Sequence, residues 1–160
     1  MNKFGQCSIA LIATILGVLS APALAQTEVY RARLSPMPTT PQTVNEITGE
    51  GEVILTLEGN TLTVEGSFSG MSSAAIAAHL HNGPPAQPGP VAHALEVQEA
   101  ASGDIFAMLE LTDEQVQALR DNALYVQVHS ENNGPGELRG WIYLRSHFDS
   151  RYQEFKEAIP

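Results

Sequence analysis

His79 and His81 stand one residue apart in the run Ala78-His-Leu-His-Asn-Gly, and His129 ends the run Leu124-Tyr-Val-Gln-Val-His. Neutral imidazole is a good ligand for copper and for zinc. The single intervening residue matters because side chains alternate across a strand. His79 and His81 then leave one face while Ile76, Ala78 and Leu80 take the other. The same alternation sets Leu124, Val126 and Val128 on one side and Tyr125, Gln127 and His129 on the other. If the two strands are neighbours, three imidazoles converge on one ion. His93, in the strand that follows a Pro-rich loop, is a candidate fourth ligand. The same spacing also occurs on exposed strand faces whose histidines are merely solvated, and His147 is read that way.

Arg139 and Trp141 alternate with Leu138, Gly140 and Ile142 and so project from the outer face of the last strand. Arg139 either brings a positive charge near the histidines, where it attracts an anion, or pairs with Glu137 or another surface acid. Gly134, Gly136 and Gly140 read as turn and close-packing residues. Other chemistry finds no support. The chain has no Gly-x-Ser-x-Gly elbow, no glycine loop followed by Lys-Ser/Thr and no Cys-x-x-Cys, and no carboxylate pair is marked out by its spacing.

The elements that must position these residues are short strands. Tyr30–Leu34, Glu52–Glu58, Thr61–Ser69, Ile76–His81, Val91–Val97, Ile105–Leu111, Leu124–His129 and Leu138–Leu144 alternate or are rich in β-formers, and Gly59-Asn60 between the second and third is a two-residue hairpin signal. Ser35–Pro41, Asn82–Pro90 and Glu131–Gly136 are loops by their proline, glycine and asparagine content. Thr112–Arg120 reads as one short helix, capped by Thr112 with acids in its first turn. About eight strands and one helix predict an all-β fold, an antiparallel Greek-key β-sandwich or barrel.

The N-terminus reads as a secretory signal: Lys3 is the positive start, Ile9–Leu19 the apolar stretch and Ala23-Leu24-Ala25 the small-x-small cleavage site. The mature chain then begins at Gln26. A membrane anchor is disfavoured because the apolar run is short and no basic stop-transfer cluster follows it. Export to the periplasm or the extracellular space is expected. Cys7, the one cysteine, falls inside the signal, so the mature domain relies on its core with no disulfide. That domain is expected over residues 26–145, with a tail at 146–160. Eight Lys+Arg against 18 Asp+Glu, a formal charge of −10, exclude nucleic acid and anionic lipid surfaces as partners.

Ala78-His-Leu-His-Asn-Gly-Pro-Pro, Gly89-Pro-Val-Ala, Leu124-Tyr-Val-Gln-Val-His-Ser and Asn133-Gly-Pro-Gly-Glu-Leu-Arg-Gly-Trp-Ile together resemble the chordin-domain (CHRD) family, over residues 28 to 145. In bacteria that family consists mainly of exported domains without an assigned activity. In animals the domain occurs in chordin, an antagonist of bone morphogenetic proteins. The resemblance therefore implies architecture more than activity. Gly66-Ser-Phe-Ser-Gly-Met followed by His79-Leu-His81 is also similar to the copper/zinc superoxide dismutases, which are Greek-key barrels. That resemblance implies copper binding at His79, His81 and His129, places His93 near the metal-bridging histidine, and gives Arg139 the role of drawing in superoxide. It lacks the loop with the remaining zinc ligands, since only Ala94–Gly103 joins two strands here.

Three functions follow as expectations. The first is a non-enzymatic exported module that holds copper or zinc through His79, His81 and His129, with His93 as a candidate addition. The second is a copper-dependent dismutase using Arg139. The third is an envelope interaction module in which Trp141 and the β-surface meet a protein partner and the histidines are incidental.

Overall fold

The computed structural model describes residues 26–147; the segment read as a signal, residues 1–25, and the tail beyond 147 lie outside the described residues. The strands are β1 (Glu28–Pro36), β2 (Glu50–Glu58), β3 (Thr61–Ser69), β4 (Ala75–Asn82), β5 (Val91–Val97), β6 (Gly103–Glu110), β7 (Leu124–Ser130), β8 (Leu138–Trp141) and β9 (Tyr143–Leu144), with helix α1 (Asp113–Arg120) between β6 and β7.

Strand order around the sheet is β2-β3-β6-β5-β4-β7-β8-β1, and β1 also pairs with β2, which closes an antiparallel eight-stranded barrel. The β3–β4 and β6–β7 connections each pass over two strands, the Greek-key arrangement expected from the sequence. Closure leaves no long edge open to strand addition. β9 is a short extra strand beside β1, joined at Tyr30↔Leu144 and Arg31↔Tyr143.

Period-two alternation fills the interior. Ala32 and Leu34, Val53, Leu55 and Leu57, Leu62 and Val64, Leu80, Ile105, Leu124, Val126 and Val128, and Leu138 are all buried. α1 lies over one end of the barrel. Its capping box is complete, with Gln115 N–H donating to Thr112 Oγ1 and Thr112 N–H donating to Gln115 Oε1. Val116 and Leu119 are its buried side chains, and Arg120 forms an ion pair with Glu28.

Two strands differ from the expected pattern. Ile76 was expected on the core side, yet it is 53 % exposed, because the β4–β7 register shifts between Ala75 and Ala77. That bulge lets Ala75 face inward instead. The last strand divides at Ile142, whose N–H turns to Leu124 O; β8 meets β1 at Ser35 and Pro36, and β9 meets it at Tyr30 and Arg31.

Candidate metal centre

β4 and β7 are direct neighbours, with His79 opposite Gln127, Ala77 opposite His129 and His81 opposite Tyr125. Cross-strand partners share a face, so the alternation of both strands delivers His79, His81 and His129 to the outside of the barrel wall. One ring nitrogen from each lies within 4.8 Å of the others. The ring centroids are 4.9 Å apart for His79 and His129 and 5.7 Å for His79 and His81.

Being outside the wall does not leave the site bare. His81 is 7 % and Gln127 3 % exposed, because two loops fold back over this face. The Asn82–Pro90 loop is tied down by Gly83 N–H to Ala123 O, Asn82 N–H to Pro90 O, and Trp141 Nε1–H to Gly83 O. The Glu131–Gly136 loop is held by Gln127 Nε2–H to Pro135 O at 2.8 Å. Gly136 adopts φ +132°, and a Cβ there would meet Gln127 Nε2 at 2.5 Å, so close approach to Gln127 requires glycine.

These loops fix the imidazole tautomers. A carbonyl oxygen can only accept, so His81 Nδ1–H donates to Gly89 O at 3.0 Å and His129 Nδ1–H donates to Gly134 O at 2.8 Å. Both rings therefore offer Nε2 as a lone pair. His129 Nε2 faces His79 Nδ1 at 3.0 Å. His81 Nε2 is buried and has no hydrogen-bond partner. The His81 ring lies flat on Tyr125, 4.7 Å between centroids and 10° between planes, and Tyr125 Oη bonds both N–H and C=O of Gly89. His79 is held by no backbone carbonyl: its Nδ1–H donates to the His129 Nε2 lone pair, and an ion bound there would take the place of that proton, which His79 can carry on Nε2 instead.

The electrostatics favour the neutral form of His79 and His81. Burial pushes His79 below the ordinary histidine range, and the neighbouring His129 and His81 add to the fall. His81 is lowered mainly by burial, partly restored by the Gly89 carbonyl, and lowered further by His129 and Arg139. Neutral imidazole is the ligating form, so the environment favours metal over protons.

His93 does not join the three. It pairs with Leu80 across β4–β5, and its Nε2 lies 3.2 Å from Gln115 Oε1 at the start of α1. Arg139 is not paired with Glu137. Its Nε–H donates to Gln127 Oε1 at 2.8 Å, and its guanidinium lies 4.9 Å from the Tyr125 ring centroid and 5.6 Å from that of Trp141. Glu137 is instead fully buried and accepts from Ser72 N–H and Oγ–H and from Thr48 N–H. Gly89, Gly134 and Tyr125 orient the rings, a role that the sequence does not give them: it marks Gly134 as a turn or close-packing residue and sets Tyr125 on the face of His129. Period-two alternation places Tyr125 beside His129, but no local pattern gives the fold of the two loops.

A CHRD-domain family model matches residues 30–142. The chain belongs to the CHRD domain family. Residues 30–142 run from β1 to the break between β8 and β9, so the match takes in the closed barrel, both loops and all three clustered histidines of this CHRD domain. No curated protein and no solved structure matches the chain.

Proposed function

We propose that this CHRD domain is an exported binding module that holds one copper or zinc ion through His79, His81 and His129. The observation that carries the reading is His81 Nε2, a buried nitrogen with no hydrogen-bond partner, on a ring clustered with two other imidazoles. Leaving a buried polar atom unpaired costs about 1–3 kcal/mol, and an ion bound there removes that cost. The two backbone carbonyls behind His81 and His129 supply the outer support that orients metal-ligating imidazoles. All-imidazole donor sets suit copper and zinc; a bound copper supplies one-electron chemistry, a bound zinc a fixed positive charge.

One observation favours a dismutase reading as the second choice: the Arg139 charge is close enough to His81 to contribute to its lowered pKa, as an anion-drawing arginine must be. The interaction-module reading loses weight, because the indole of Trp141 is half-buried and tied to Gly83 O.

The test is metal analysis of the purified protein after copper or zinc loading and desalting, beside a His79→Ala/His81→Ala variant treated identically. Near-stoichiometric metal that the variant lacks supports the site. Equal, trace metal in both ends the metal reading. Copper-loaded protein that dismutates superoxide no faster than buffer ends the enzymatic one.

A further inference from the structure

β1 lies next to β8, one strand further round the barrel from β7, and the two carry a second polar feature. Arg31, Arg33 and Ser35 alternate with the buried Ala32 and Leu34 and so point outward, and Ser35 pairs with Arg139 across the strands. The strands come close here because Gly140 has no side chain: a Cβ would meet Arg33 O at 2.4 Å. The result is a pocket of about 430 Å³ lined by Arg31, Arg33, Ser35, Arg139, Trp141 and Tyr143. That is room for a small molecule.

The charge of this pocket runs against the rest of the chain. The protein has 8 Lys+Arg and a formal charge of −10, yet three of those cations line one pocket whose walls contain no Asp or Glu. Arg31 is neutralised by Glu52 at 2.7 Å. Among the described residues, neither Arg33 nor Arg139 forms an ion pair. Arg139 is also pre-positioned: Nε is committed to Gln127 and the guanidinium is stacked by Tyr125 and Trp141. A fixed, planar guanidinium without a carboxylate is matched in geometry and charge by an oxyanion, which accepts two parallel N–H bonds.

We propose that this pocket binds the oxyanion group, phosphate, sulfate or carboxylate, of a small ligand, held between Arg33 and Arg139. The pocket borders the histidine cluster without containing it: Arg33 and Ser35 lie on β1 and the histidines on β4 and β7, and Arg139, on β8 between them, touches both sides. An overall acidic protein repels anions at long range, so recognition here depends on direct contact.

Trp141 is the chain's one tryptophan and lines the pocket, so its fluorescence reports occupancy. The experiment titrates the purified metal-free protein with inorganic phosphate, inorganic sulfate and glucose 1-phosphate, ionic strength held constant with sodium chloride. The expected result is a saturable fluorescence change that chloride does not produce. Arg33→Gln should weaken it about tenfold or more and Arg33→Lys less, because lysine keeps the charge without the fork. Arg33→Gln should leave copper and zinc loading at the parent level. A sugar phosphate binding tighter than inorganic phosphate assigns the ligand to an organic ester, and equal affinity assigns it to the free anion; each supports an oxyanion site. No saturable change beyond chloride, or an Arg33→Gln protein that binds like the parent, overturns it. The His79→Ala/His81→Ala variant, checked for its fold by circular dichroism, should still bind the oxyanion while losing metal. Loss of oxyanion binding in that folded variant would place the anion at the histidines and overturn the assignment.

Discussion

Gly89 holds His81 in place through its carbonyl, 3.0 Å from Nδ1, while Tyr125 stacks under the ring and clamps Gly89 through its hydroxyl. One residue of a Pro-rich loop therefore sets the tautomer of a ring on a neighbouring strand. It must be glycine, because a Cβ at that position would lie 1.7 Å from Asn82 O. Gly89→Ala is expected to push the loop off His81 and free its Nδ1. Outer-support losses of this kind lower metal affinity by about 10- to 100-fold. Competition against a chelator of known affinity reads this directly. An alanine variant that holds metal as tightly as the parent would show that the carbonyl does not orient the ring.

Metal should stabilise the fold, since the three nitrogens are brought together only in the folded chain. Free ion at about a hundred times its dissociation constant adds about 2.7 kcal/mol, several degrees of melting temperature for a domain of this size. Copper and zinc should both raise the melting temperature at neutral pH, magnesium should not, and His79→Ala/His81→Ala should abolish the rise. His93→Ala should retain it in full, because His93 faces Gln115 on α1. A shift that His93→Ala removes would bring that residue back into the ligand set.

The barrel was legible because its determinants are local. Alternation along β2, β3 and β7, the Gly59-Asn60 turn and the proline content of the connections each act within a few residues. The same alternation put His79, His81 and His129 on one side of their strands, and the structure places them together. What stayed hidden depends on contacts far apart in sequence. The pairing of His93 with Leu80, which turns it toward α1, follows from the β4–β5 register that runs unbroken from Ala78↔Leu95 to Leu80↔His93. Arg139 finds Gln127 because β8 packs beside β7 at that register, where Arg139 lies opposite Gln127. The Ile76 error has the same origin, since a bulge changes side-chain phase without leaving a mark in composition.

Glu137 is a buried carboxylate that joins three segments, taking Thr48 N–H at 3.1 Å, Ser72 N–H at 2.6 Å and Ser72 Oγ–H at 3.1 Å from its place just before β8. Burial alone would raise its pKa, but the bonds from Ser130, Ser72 and Thr48 outweigh it and pull the carboxyl below its ordinary range. Removing the side chain leaves two partly buried backbone donors, Thr48 N–H and Ser72 N–H, without their acceptor. Glu137→Ala should cost about 1–3 kcal/mol, seen as a lower urea midpoint with little change in slope. A midpoint within experimental error of the parent would show that water replaces the carboxylate and that the network adds nothing.

The metal-free protein should lose stability in two stages as pH falls. The folded state holds His79 and His81 below the ordinary histidine value, so the unfolded chain takes up their protons first. A depressed folded pKa means that stability is fully present above about 6.5 and is lost as pH drops from there through the folded values. Glu28 and Glu137 are also depressed, Glu28 chiefly by its bond from Arg120, so their contribution persists to lower pH and is lost only below the ordinary carboxylate value of 4.5. Urea midpoints between about pH 7.5 and 5.5 isolate the first stage, because the carboxylates stay ionised there in both states. The parent midpoint should fall across that window, whereas His79→Gln/His81→Gln should give a nearly flat profile. Equal slopes for the two proteins would mean that protonation of the histidine pair does not destabilise the fold, and that these rings are less desolvated than their burial under the two loops implies.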